Sequence, residues 1–140
     1  MKIEKDFLRN NDLGLLLLRL TIGGLMLFHG IHKAVHGVSF IEGMLEGMGL
    51  PGWIAYGAIL GELVSSLLII AGAWTRVAAV IFSGTMLVAI LMAHSTQLCS
   101  IDPMTGGWVP ELPALYLMGG VILFFTGGGR YALTTGSVTD

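Results

Sequence analysis

A chain of 140 residues in which 54% of side chains are hydrophobic and only 11% charged, with mean hydropathy +0.83, departs from a soluble globular domain, where about a quarter of residues carry charge. Its formal net charge of -2 offers no basic surface for nucleic acid, and its apolar blocks leave these residues no room for a separate soluble catalytic domain. The single cysteine, Cys99, excludes an intrachain disulfide and dithiol redox chemistry within the chain.

The charged N-terminal stretch MKIEKDFLRNND precedes an apolar run that is too long for a signal peptide, contains Arg19 and lacks a small-residue cleavage site. An uncleaved first span is therefore expected over residues 13–35, long enough as a helix to cross a hydrocarbon core of about 30 Å. Its exit, LFHGIHKAVHG, holds His29, His32, Lys33 and His36. The histidine spacing i, i+3, i+7 places three imidazoles on one helical face, but over more than two turns, about 10 Å, so they cannot share one ion. No metal site is expected, and His32 and His36 are expected among headgroups or in water.

VSFIEGMLEGMGLP follows, with Phe40, Ile41, Met44, Leu45 and Met48 opposed to Glu42 and Glu46. This spacing predicts a short amphipathic helix on the outer surface. Pro51 starts a second span over 52–73, where a missing N–H costs nothing. Gly57, Gly61 and Ser65 form a small-residue stripe for close helix packing. A third span is expected over 76–93 and a fourth over 112–127, separated by the long loop 95–110, a candidate lid. Trp53, Trp74 and Trp108 stand at span ends, as interfacial indoles do. Lys2, Lys5, Arg9, Arg76 and Arg130 fall on one side and Lys33 alone on the other; the positive-inside rule then puts both termini in the cytoplasm. The expectation is an all-α integral membrane four-helix bundle, one transmembrane domain over 1–140.

Ionisable groups within spans cost at least about 2.5 to 3.5 kcal/mol each on insertion scales, and so need a partner or a purpose. Arg19 lies six residues into span one and Glu62 about ten into span two, which runs the other way. Their axial offset comes out at about 5 to 6 Å, which predicts an Arg19–Glu62 ion pair. Its role stays open between helix register and proton handling by Glu62. Arg19, His29 and Lys33 fall within about 80° on a helical wheel. With His94 and Glu111 at the same outer edge, they predict a polar cavity walled by His29, Lys33, His94 and Glu111 and floored by Glu62 and Arg19.

Taken together, LLRLTIGGLMLFHGIHKAVHG with Arg19, His29, Gly30 and Lys33, the Gly49-Leu50-Pro51 entry, Glu62, the Gly72-x-x-Thr75-Arg76 turn, His94, and ELPALYLMGGVILFFTGGGRYAL with Glu111 and Gly128-Gly129-Arg130-Tyr131 resemble the DoxX family of membrane proteins from about Leu13 to Leu133. The resemblance implies a four-helix protein of the bacterial inner membrane, with some relatives linked to thiosulfate:quinone oxidoreduction or to membrane complexes that handle oxidative and thiol stress. His32, His36 and Cys99 lie outside the pattern.

The leading functional expectation is a redox-associated subunit that binds a quinone or similar lipophilic molecule in the outer half of the bundle. His29, His94 and Glu111 would hydrogen-bond its oxygens, Lys33 would favour an anionic reduced form, and Glu62 would handle protons. The chain contains no haem-attachment, iron-sulfur or nucleotide-binding motif, so electrons are expected from a redox partner subunit or from the bound quinone itself. Membrane lipids and a second copy of the chain are the other expected partners. Two readings stand against this one: a small transporter or channel lined by the buried charges, and a scaffold for soluble redox partners in which every buried charge is structural.

Overall fold

In the computed structural model, which describes residues 9–140, the chain is all-helical, with one isolated antiparallel bridge between Ile101 and Trp108. Helix α1 spans Asn11–His36. The Asn10 side chain accepts from the Leu13 N–H at 2.9 Å and Asp12 lies in the first turn, both favourable at the positive end of a helix. Gly37, at φ 86°, ends it. The amphipathic helix α2, Ser39–Gly47, follows as expected.

The second apolar segment, α3, runs over Gly52–Ala71 but is not uniform. It opens with a 3-10 turn, Gly52–Ala55, and contains a π-helical turn at Leu60–Val64. Helix α4 is Thr75–Ala93 and helix α5 is Glu111–Thr126. Three of these helices, α1, α3 and α4, are long and apolar enough to cross a membrane. At 16 residues, α5 reaches only about 24 Å.

Each apolar helix packs against its neighbour in the chain, and α1 also touches α5. The central core joins Ile22 and Met26 of α1, Ile69 of α3, Ala78, Ala79, Phe82 and Met86 of α4, and Tyr116 and Leu123 of α5. Phe82 meets Tyr116 edge-on at 6.1 Å between ring centroids. A smaller cluster of Val38, Leu45 and Ala55 docks α2 over the α3–α4 pair. Trp53, Trp74 and Trp108 are all exposed at helix ends. The loop 95–110 is ordered by its own contacts. Asp102 accepts from Met104 N–H at 2.8 Å, and Trp108 Nε1 donates to the Leu98 carbonyl at 2.7 Å.

The α1–α3 contact sets the axial register. A methyl group on Gly30 would lie 2.7 Å from the Cα and N of Leu63, and one on Gly23 would lie 3.1 Å from the Ser66 carbonyl. Only glycine lets these backbones come so close. With the helices antiparallel, Arg19 lands at the C-terminal end of α3, and two further turns of α1 extend past it.

There the Arg19 side chain, 1% exposed, finds carbonyls instead of a carboxylate. Its Nε donates to Ile69 O at 2.8 Å, one terminal nitrogen to Ile70 O at 2.8 Å and the other to Gly128 O at 2.9 Å. The last carbonyls of a helix have no partner within it and carry the negative end of its dipole, so a buried guanidinium satisfies both needs. The expected Arg19–Glu62 pair is thus replaced. The offset estimate placed the two spans edge to edge, whereas α1 overshoots α3.

The same end is closed by the residues after α5. Gly72, at φ 72°, reverses the chain, and Trp74 sits at φ 45°, a strained conformation for a residue with a side chain, with its N–H held by Thr134 Oγ1 at 2.9 Å. Asp12 accepts from Arg130 N–H at 2.9 Å, and Arg76 N–H donates to the Thr139 carbonyl at 3.1 Å. Arg9, Arg76 and Arg130 therefore share one end of the molecule and Lys33 stands toward the other; Lys2 and Lys5 lie outside the described residues.

Replacing Arg19 with leucine leaves the Ile70 and Gly128 carbonyls unpaired, Ile69 keeping the Gly72 N–H at 3.2 Å, and is expected to cost about 2 to 3 kcal/mol. Arg19→Lys, which cannot reproduce the fork, should recover less than half of that. Thermal unfolding in detergent micelles measures both, and unchanged melting of the leucine variant would refute the clamp.

Candidate functional site

The π-helical turn in α3 places adjacent residues of the segment on two different neighbours. Gly61 abuts the Thr85 side chain on α4, with no room for a Cβ, while Glu62, 4% exposed, turns to α1. A π-turn shifts the backbone bonding by one residue. Ser65 N–H bonds the Leu60 carbonyl five residues back, and the buried Ser65 hydroxyl donates to the Gly61 carbonyl. Such turns recur at functional sites because they redirect side chains at modest cost to the helix.

Glu62 meets Lys33. The Lys33 Nζ stands 2.5 Å from both carboxylate oxygens, and the pair is the one salt bridge among the described residues. Lys33 lies one turn beyond Gly30, so the close contact that sets the α1–α3 register also brings the ammonium within reach of the carboxylate. Each charge relieves the burial cost of the other.

Beside this pair is a cavity of about 530 Å³, within the range of about 300 to 1,000 Å³ usual for small-molecule sites. Its roof is α2, through Phe40, Ile41, Met44 and Leu45; its walls are α3 and α4. Lys33, Glu62 and Thr85 are its polar side chains, and everything else lining it is apolar or glycine. The hollow comes from small residues facing one another, Gly57 and Ala58 on α3 and Gly84 and Ala89 on α4. A Cβ at Gly57 or Gly84 would meet open space. Exposed Phe40, Ile54, Val80 and Val88 stand around the cavity, so it opens sideways, toward the surface that acyl chains cover in a membrane.

Of the six side chains expected around an outer polar cavity, only Lys33 and Glu62 meet at this one. Arg19 is at the far end of α3. His29 is exposed: the buried stripe of α1 runs through Arg19, Ile22, Gly23, Met26 and Gly30, and His29 sits at the edge of the expected arc, turned outward. Glu111 is exposed at the start of α5, its carboxylate against Gly107. His94 is half-buried beyond the last turn of α4, its Nδ1 enclosed without a partner, and it does not line the cavity. His32 and His36 are exposed and stacked at 4.3 Å. The small-residue stripe divides: Gly61 and Ser65 pack, and Gly57 faces the cavity. The residues that hollow it out, Gly84 and Ala89, and the roof formed by α2 were not foreseen. The recurrence of small residues along one face of α4 was the available signal.

The family model for DoxX matches residues 14–95, which holds α1 to α4, Lys33, Glu62 and the whole lining of the cavity. The fold and this match define a helical membrane protein with a partly buried ion pair beside an apolar cavity. The chain belongs to the DoxX family. Neither the curated proteins nor the solved structures compared with it yield a match.

Lys33→Met strands the buried Glu62 carboxylate and should destabilise the protein by about 3 to 5 kcal/mol, Glu62→Leu leaves a half-buried ammonium and should cost less, and the double variant should return close to the wild type. Unfolding of the three variants in one detergent measures the cycle. Simply additive losses would mean that the two groups do not interact.

Proposed function

We propose that this DoxX-family protein is a four-span bundle of the bacterial inner membrane, with both termini cytoplasmic, that binds a quinone-like lipophilic molecule between α3 and α4 as a redox-associated subunit. The observation that carries this reading is one apolar cavity, open toward lipid, with a single ion pair in its wall.

The chemistry of that pair suits a ligand that cycles between carbonyl and hydroxyl forms. Lys33 has more donors than the carboxylate needs and can donate to a quinone carbonyl. Glu62 can accept from a quinol hydroxyl. Each redox state thus has a matching partner on the same wall. A lipophilic tail would leave through the side opening, along Gly57 and Gly84. Electrons come from a partner subunit, because the sequence has no motif for a bound redox centre of its own. His29, His94 and Glu111, away from the cavity, take no direct part in this reading, and Arg19 serves to hold α1, α3 and the segment after α5 together.

Filling the cavity tests the proposal without touching a charge. Gly84→Phe points a ring into open space, so the fold should persist while the affinity for a short-tailed ubiquinone or menaquinone analogue, measured by fluorescence quenching in detergent, should fall at least about tenfold, the equivalent of 1.4 kcal/mol. Unchanged binding in Gly84→Phe, or no quinone binding by the wild type combined with ion flux in liposomes, would reject it. Topology is read separately at Cys99, which is exposed in the loop 95–110. A membrane-impermeant thiol reagent should label it in cells whose outer membrane has been permeabilised, and labelling only after the inner membrane is opened would reverse the orientation.

A further inference from the structure

At the end of the molecule opposite the quinone-like site is a second hollow, of about 420 Å³, enclosed by Arg76, the Gly127–Gly128–Gly129 run, Arg130, Thr134, Thr135, Ser137 and Asp140. Its lining is about half polar, where the first cavity's is almost wholly apolar. Two of its buried side-chain atoms have no partner: the Arg76 Nε, a donor, and the Asp140 Oδ1, an acceptor. They are not paired with each other, since among the described residues the only salt bridge is Lys33–Glu62. Asp140 Oδ2 is engaged by the Ser137 N–H at 2.8 Å, so that carboxylate is fixed in the wall. Arg76 lies in the first turn of α4, where the helix dipole adds to the attraction for an anion. Arg130 adds a second positive charge on an exposed side chain.

We propose that this hollow binds a phosphate ester that also carries a hydroxyl group, supplied by an anionic phospholipid headgroup such as phosphatidylglycerol or by a soluble phosphate ester of the same chemistry. The phosphate oxygens accept from Arg76 and Arg130, charge-assisted bonds that favour guanidinium over other donors. The ligand hydroxyl donates to Asp140 Oδ1, which a purely accepting anion cannot satisfy. The threonine and serine hydroxyls at the rim supply further donors, and the small glycine run keeps side chains out of the space. Exposed Trp74, Val77 and Phe125 beside this end suit a molecule whose acyl chains continue along the helices. The proposal is independent of the quinone reading, because the two hollows share no residue.

The test uses the full-length protein in neutral detergent and follows its melting temperature and the lipid retained in native mass spectrometry. Short-chain phosphatidylglycerol is compared with phosphatidylcholine, and glycerol 3-phosphate and inorganic phosphate are added in separate arms. The expected result is stabilisation and retention by phosphatidylglycerol over phosphatidylcholine, with affinity falling about tenfold in Arg76→Gln and in Arg130→Gln. Arg130→Gln alters an exposed side chain and keeps the test valid if Arg76→Gln does not fold. Equal effects of glycerol 3-phosphate and the lipid, both lost in the variants, would assign the site to a soluble ester. Equal effects of phosphatidylglycerol and phosphatidylcholine, or binding unchanged in Arg130→Gln, would overturn the proposal.

Discussion

The backbone contact between α1 and α3 at Gly30 and Leu63 governs where Arg19, Lys33 and Glu62 find their partners. Two antiparallel helices in such close contact cannot slide without a clash, so their register is fixed by sterics rather than by charge pairing. Arg19 is then carried to the carboxyl end of α3 and Lys33 to its middle. A side chain at Gly30 would push the helices apart and release both groups together.

Buried Arg19 and half-buried Lys33 are stabilised in different ways. Arg19 is a planar fork, and a helix end offers it several carbonyls at once. This arrangement needs no counter-ion and is tied to a single architecture, because one of its acceptors, Gly128, comes from beyond α5. Lys33 is a point charge and pairs with a carboxylate that keeps unused lone pairs. The first is a structural fastener with each of its three nitrogens bonded to a carbonyl, and the second is an ion pair with donors and acceptors to spare, bordering a hollow. That difference is why function is assigned to Lys33 and Glu62 and stability to Arg19.

The hollow itself depends on side chains that are small. Helices α3 and α4 meet tightly where Gly61 accepts Thr85, and they leave space one to two turns further out, where small residues on both helices face each other under α2. The π-turn lies at the boundary between the two zones. It lets Gly61 pack against α4 while Glu62 faces α1, so the tight contact and the ion pair arise from neighbouring residues.

Much was legible from the chain alone. Hydropathy and length located the apolar helices to within a few residues, the alternation of Phe40, Ile41, Met44 and Leu45 with Glu42 and Glu46 located α2, and the motif set pointed to the DoxX family. These are local properties, carried by composition and by the 3.6-residue period. What the sequence could not decide was which charges meet. That depends on axial register and helix rotation, and both were set by contacts between distant residues: Gly30 on Leu63, Gly23 on Ser66, Arg19 on Gly128. A helical wheel could not separate Lys33 from His29, 40° apart at the edge of the buried arc, because the arc's centre is defined only by what packs against it. Nor could the spans' lengths reveal that α1 overshoots α3, which is why Arg19 and Glu62 were expected together and are found apart. The tertiary structure alone joined Lys33 to Glu62 and opened a cavity beside them, because only packing tells which small residues close on a neighbour and which leave space.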